Sequence, residues 1–130
     1  MIARLFALLR DRPRTALAVY WSLAFVVTHV PPLLPRDDDD GPEPLIGADK
    51  VVHLIGFAAL AFLLANVLGR RFGRGTATLM TLAIGAIYGV FDEVTQPMFG
   101  RTADPFDWVA DLIGLAIGLA LYRLARRRGL

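Results

Sequence analysis

The chain has 130 residues and a mass of 14.2 kDa, enough for one domain and not two. Apolar residues make up 55% and the mean hydropathy is +0.52, which excludes a disordered chain and an ordinary small soluble domain. The balance of 14 basic and 12 acidic residues is near neutral, and the absence of cysteine excludes disulfides, thiol catalysis and Cys-ligated zinc.

The charged residues are clumped, with long uncharged stretches between them, and this segregation is the signature of a polytopic membrane protein. The arginines flank apolar spans, so a membrane surface explains the basic pI and nucleic acid does not. Residues 1–12 fit a short interfacial helix with Ile2, Leu5, Phe6 and Leu9 toward lipid. A first span follows at about residues 15–34 and ends in Pro31 and Pro32. Arginines before an apolar run also suit a signal peptide, but no small-x-small cleavage pattern precedes Pro31, so an uncleaved helix is expected. The stretch from Pro35 to Gly47 carries Asp37 to Asp40, Glu43 and three prolines, and reads as a solvated connector. It lacks the spaced ligands and the glycine of an EF-hand.

The second span, about 50–69, has no charge from Val51 to Gly69. The third covers about 76–95 and is uncharged as far as Phe91. The fourth covers about 105–122, carries Asp111, and is stopped by Arg123 and Arg126 to Arg128. About 20 helical residues cross the ~30 Å hydrocarbon core. A soluble four-helix bundle would need a charged face on each helix, yet between Val51 and Gly69 only His53 and Asn66 are strongly polar. The expectation is an all-α single transmembrane domain over residues 1–130, a bundle of four membrane helices. Eleven of the 14 basic residues fall in the N-terminal segment, the 70–74 loop and the C-terminus. The positive-inside rule makes these three regions cytoplasmic, so both termini lie inside. Eleven of the 12 acids then lie on or near the outer face.

Three spans share one design. The second has Asp49, His53, Gly56 and Leu60 on one face; the third has Gly85, Gly89, Asp92 and Gln96; the fourth has Asp107, Asp111, Gly114 and Gly118. Each face is polar near the outer end and small below it. Gly85/Gly89 and Gly114/Gly118 are small-xxx-small pairs that let membrane helices approach closely, which gathers the polar ends above them. Asp104 and Pro105 form an N-cap and N1 pair, so Asp111 lies ~10 Å into the fourth helix. A carboxylate there needs a partner. Arg101 is expected to reach Asp92 or Asp111, with His53 at the same point. Six acids, Asp49, Asp92, Glu93, Asp104, Asp107 and Asp111, face two fixed cations, Lys50 and Arg101. Some acids are therefore exposed or protonated, or the site recruits a cation. His29, alone near the outer end of the first span, reads as a packed or interfacial histidine.

Asp49-Lys50 with His53 and Phe57, then Asp92-Glu93 and Gln96, then Arg101, Asp107, Asp111 and Gly114, resemble the VanZ-like family over about residues 49–118. The resemblance implies a bacterial integral membrane protein of about four helices, in the cytoplasmic membrane and acting in the cell envelope. The family is named for a protein linked to resistance to the glycopeptide teicoplanin.

Three functions suit these residues. In the first, Asp49, Lys50, His53, Asp92, Glu93, Gln96, Arg101, Asp107 and Asp111 bind an envelope component. Such a ligand is a glycopeptide, a lipid-linked cell-wall precursor or an anionic lipid head group, with Lys50 and Arg101 on phosphate or carboxylate and the acids on an amine. In the second, the site is an enzyme acting on a lipid or peptidoglycan group, with His53, Asp92 and Glu93 as catalytic candidates. There His53 is a general base oriented by Asp49 or Asp92, or else His53, Asp92 and Glu93 surround a divalent ion. No cofactor motif is present and no metal is assigned. In the third, the cluster only locks helix ends together. Transport is disfavoured, because a polar site at one end of four short helices makes no through-path.

Overall fold

The computed structural model describes residues 11–29 and 47–128. The expected interfacial helix over 1–12 lies almost wholly outside the described residues, and the acidic connector lies outside apart from Gly47. The described residues form four α-helices and no strand: α1, Pro13–His29; α2, Ala48–Leu68; α3, Arg74–Thr95; and α4, Pro105–Arg127. A 3-10 turn, Gln96–Phe99, continues α3.

Local chemistry sets the helix ends. Helix α4 starts where Asp104 Oδ1 accepts the backbone N–H of Phe106 at 2.9 Å, with Pro105 in the first turn where no N–H is needed. Helix α2 stops at Gly69, and Gly73 precedes α3, so the five residues 69–73 turn the chain. Beyond the 3-10 turn, Gly100 has φ +75°, a left-handed conformation that side chains other than glycine rarely take. That geometry lets the Gly100 and Arg101 N–H groups bond back to Pro97 O and Gln96 O, and it points the chain toward α4.

Helices α2 and α4 form the most extensive pair, and the glycines explain it. A Cβ on Gly114 would run into Leu54 O and Ala58 N, and one on Gly118 into Ala58 O and Ala61 Cβ. The two backbones touch where only hydrogen atoms intervene. Gly85 and Gly89 of α3 face Leu115, Trp108 and Asp111 of α4 in the same way. Helix α1 is pinned to α2 by Tyr20, whose hydroxyl donates to Gly56 O at 2.7 Å. The apolar core is Phe57, Leu60, Ala61, Ala65, Leu115, Leu119 and Tyr122.

The outside of the bundle is apolar. Val19, Leu23, Ile55, Leu79, Ile87, Val94, Phe106, Ile113 and Leu121 all face outward, while charged side chains are buried at one end. A soluble domain reverses this arrangement. Helix α2, α3 with its 3-10 turn, and α4 are each long and apolar enough to cross a bilayer. At 1.5 Å per residue α2 measures about 31 Å and α4 about 34 Å. Within the described residues α1 has 17 residues, or about 25 Å. Helix α4 runs to Arg127, five residues past the apolar span, because the last arginines suit a helix C-terminus.

Candidate functional site

The start of α2, the end of α3 and the start of α4 lie at one end of the bundle, and their polar residues meet there. Helix α2 supplies Asp49 and Lys50 in its first turn and His53 one turn deeper. Asp92 and Glu93 come from the last turn of α3, and Gln96 from the 3-10 turn. Arg101 and Asp104 come from the connecting segment, Asp107 and Asp111 from α4. His53, Asp92, Gln96, Asp107 and Asp111 are at most 1% exposed, and Glu93 is 8% exposed.

The cluster has two tiers. At the rim, Arg101 Nη2 donates to Asp49 Oδ1 at 2.6 Å. Lys50 Nζ donates to Asp104 Oδ2 at 2.7 Å and lies 3.5 Å from Asp107 Oδ1. Asp49, Lys50, Arg101 and Asp104 are partly exposed, while Asp107 is buried beneath them. The Lys50 ammonium, helped by the Phe106 N–H, holds the Asp104 carboxyl below the usual carboxylate range. The expectation that Arg101 reaches Asp92 or Asp111 is therefore corrected. Asp49, in the first turn of α2, lies nearer the loop and takes the guanidinium, and Arg101 stays at the rim.

The lower tier has no lysine or arginine. His53 Nδ1 is 2.9 Å from Asp111 Oδ1, and the carboxylate accepts. Its other nitrogen, Nε2, faces the cluster, 3.9 Å from Asp107 Oδ2. Asp92 Oδ1 accepts from Thr28 Oγ1 at 2.9 Å, and its Oδ2 accepts from Gln96 Nε2 at 3.2 Å. Glu93 Oε2 accepts the backbone N–H of Asp104 at 2.9 Å, which ties α3 to the start of α4. His53, Asp92 and Glu93 each bring one ligand atom to within 4.8 Å of the others, and Asp49, His53 and Asp107 do the same. Glu93 Oε1, Gln96 Oε1, Asp111 Oδ2 and His53 Nε2 are buried with no hydrogen-bond partner. Such atoms are costly in a membrane interior unless something meets them. All nine residues singled out from the sequence thus lie at this end of the bundle. They divide into an ion-paired rim and an acceptor-rich floor.

A model of the VanZ/LLP1 family matches residues 6–126, nearly the whole chain. The chain belongs to the VanZ/LLP1 family. The match is wider than residues 49–118, over which the motifs could be followed, and it takes in α1. No curated protein and no solved structure gave a significant match.

In this VanZ/LLP1 chain, α1 contributes to the site in a way the sequence reading missed. Thr28 holds Asp92 directly. His29 is packed as expected, stacked on Phe25 with ring centroids 3.9 Å apart and edge-on to Phe99 at 4.9 Å. It is also a polar neighbour of the cluster. Its Nε2 is 2.8 Å from Thr95 Oγ1 and its Nδ1 is 3.6 Å from Asp92 Oδ1. The available signal was the Thr28-His29 pair closing an otherwise uncharged span at the depth of Asp92.

Proposed function

We propose that the chain is a four-span protein of the bacterial cytoplasmic membrane, with both termini in the cytoplasm. Its polar cluster opens at the outer face and binds an envelope component or a glycopeptide. The 11-to-3 division of basic residues supports the orientation. It sets Arg70, Arg71, Arg74 and the C-terminal arginines opposite the cluster. The observation that carries the binding reading is the surplus of buried acceptors beneath the ion-paired rim: Glu93 Oε1, Gln96 Oε1 and Asp111 Oδ2. A structural lock would satisfy its own polar atoms. A site that waits for a donor or a cation leaves them open. Lys50 and Arg101 at the rim suit phosphate or carboxylate, and the acids below suit an amine. Lipid-linked cell-wall precursors and glycopeptides carry both kinds of group.

The test is saturable binding of teicoplanin, and separately of a lipid-linked cell-wall precursor, to the chain in lipid nanodiscs. Binding that weakens at least 10-fold in Arg101→Ala and Glu93→Gln supports the reading. Failure of both ligands to bind the wild type overturns it.

One observation favours a second reading, a membrane-embedded hydrolase or transferase acting on a lipid or peptidoglycan group. The Asp111 carboxylate orients the His53 ring and leaves Nε2 facing the acidic floor, as a general base requires. Turnover of a lipid-linked precursor that His53→Gln abolishes while binding persists would select this reading over simple binding.

A further inference from the structure

We infer that the floor of the cluster is a divalent metal site, with His53 Nε2, Asp92 and Glu93 Oε1 as the protein ligands and Asp111 as the residue that orients the imidazole. This deepens the binding reading above and rests on it, since it concerns the same cluster. Three independent features lead to it. The first is ligand spacing. Two atoms each ~2.1 Å from one ion are at most ~4.2 Å apart. His53, Asp92 and Glu93 each bring one ligand atom to within 4.8 Å of the others, so shifts of about half an ångström close a shared shell.

The second feature is the pairing around the ligands. His53 gives Nδ1 to Asp111 at 2.9 Å and keeps Nε2, buried and unpartnered, for the interior. A histidine that binds metal through one nitrogen typically donates the other N–H to a carboxylate, which fixes the tautomer and the ring angle. The two carboxylates are held likewise. Asp92 is braced by Thr28 and Gln96, and Glu93 by the Asp104 backbone, which leaves Glu93 Oε1 open.

The third feature is charge. Asp92 and Glu93 are buried side by side, while Lys50 and Arg101 are engaged at the rim by Asp104 and Asp49. His29 is the one imidazole near the far edge of Asp92, at 3.6 Å. A dication neutralises two carboxylates and removes the cost of leaving them charged in low dielectric. The same argument rejects the other triad, Asp49, His53 and Asp107. There Arg101 already pairs with Asp49 and Lys50 stands 3.5 Å from Asp107, so a dication would meet fixed positive charge.

One imidazole and two carboxylates suit a transition-metal dication that accepts mixed nitrogen and oxygen ligands, Zn2+ or the harder Mn2+, over Mg2+ and Ca2+, which prefer all-oxygen shells. The remaining positions of the shell would go to water or to an oxygen of the bound molecule.

The experiment is metal binding by the full chain in nanodiscs after chelation, with no organic ligand present, so its outcome is independent of whether a glycopeptide or precursor binds. The expected result is one equivalent of Zn2+ or Mn2+ retained after desalting and not displaced by millimolar Mg2+ or Ca2+. His53→Gln and Glu93→Gln should abolish stoichiometric retention, and Asp111→Asn should weaken it about 10-fold or more. Asp11→Asn, an exposed acid at the opposite end, should leave it unchanged. Should the ligand variants fail to fold, X-ray absorption of the Zn2+-loaded wild type decides: one imidazole with oxygen ligands at ~2.0–2.2 Å supports the site, and an all-oxygen shell overturns it. No stoichiometric retention by the wild type, preference for Mg2+ or Ca2+, or equal retention by folded His53→Gln and Glu93→Gln also overturns it.

Discussion

Asp92 has no exposed surface, yet it keeps company with Thr28 and His29 of α1 and with Gln96 of the 3-10 turn. Such a carboxylate depends on each donor, because removing one leaves the other partner short in a place water does not reach. Thr28→Val preserves shape and deletes the hydroxyl, so it should lower stability by about 1–3 kcal/mol, measurable as a lower melting temperature in detergent. No change would mean that the Thr28 bond to Asp92 contributes nothing. At the rim the expectation is milder. Asp104→Ala removes both the α4 cap and the Lys50 partner. The cap contributes about 1 kcal/mol, and the partly exposed ion pair adds little because solvent screens it. A loss well above 2 kcal/mol would show the rim to be less wet than its exposure indicates. The sequence disclosed the acids and His53 because charge inside an apolar span stands out. It did not disclose Arg101's partner, since a long side chain on a loop reaches several carboxylates and only the loop's path decides. It hid Thr28 because a threonine in an apolar helix carries no charge to mark it.

The helices were legible from hydropathy, since long uncharged stretches have few alternatives once the chain is in a membrane. Their facing surfaces were legible from glycine spacing, and the neighbours that a Cβ would strike make this quantitative. Gly118→Ala places a methyl against Ala58 O and Ala61 Cβ, backbone and a short side chain that cannot swing away. It should cost about 1–3 kcal/mol, and Gly114→Leu more. Gly75 has nothing within 4 Å of the same position, so Gly75→Ala should stabilise α3 by roughly 0.5 kcal/mol through helix propensity. Ranking the three by thermal melting tests the packing. If Gly118→Ala matches Gly75→Ala, the close approach of α2 and α4 is wrong. The turn at Gln96–Phe99 was not foreseen as a separate element. Pro97 lies two residues past the end of α3 and marks the change to a 3-10 turn, while Gln96, still helical, stands one turn from Asp92 and donates to it.

For the molecule as a whole, the orientation rests on arginine counts, and the absence of native cysteine makes it directly testable. A cysteine at Asp39 should react with a membrane-impermeant thiol reagent on intact cells, and one at Gly73 should react only after the membrane is opened. The reverse pattern would put the cluster on the cytoplasmic face and remove envelope ligands from consideration. The fold explains why the cluster is at one end. Small residues bring α2, α3 and α4 together below, and the polar turns that begin or end each helix have no other place to meet. The same packing leaves an apolar exterior that only lipid or another protein covers. What the sequence could not convey is the division into an ion-paired rim and an acceptor-rich floor, which depends on which acid each cation selects. That division is the basis for reading the cluster as a binding site, and Glu93→Gln tests it most directly. The substitution keeps the side chain's size and removes one buried negative charge, so a binding site and a structural lock respond in opposite directions. Melting temperature and teicoplanin or lipid-precursor affinity are measured on the same nanodisc preparation. The account predicts a melting temperature equal to or above wild type together with at least a 10-fold loss of affinity. A lowered melting temperature with unchanged affinity would contradict it.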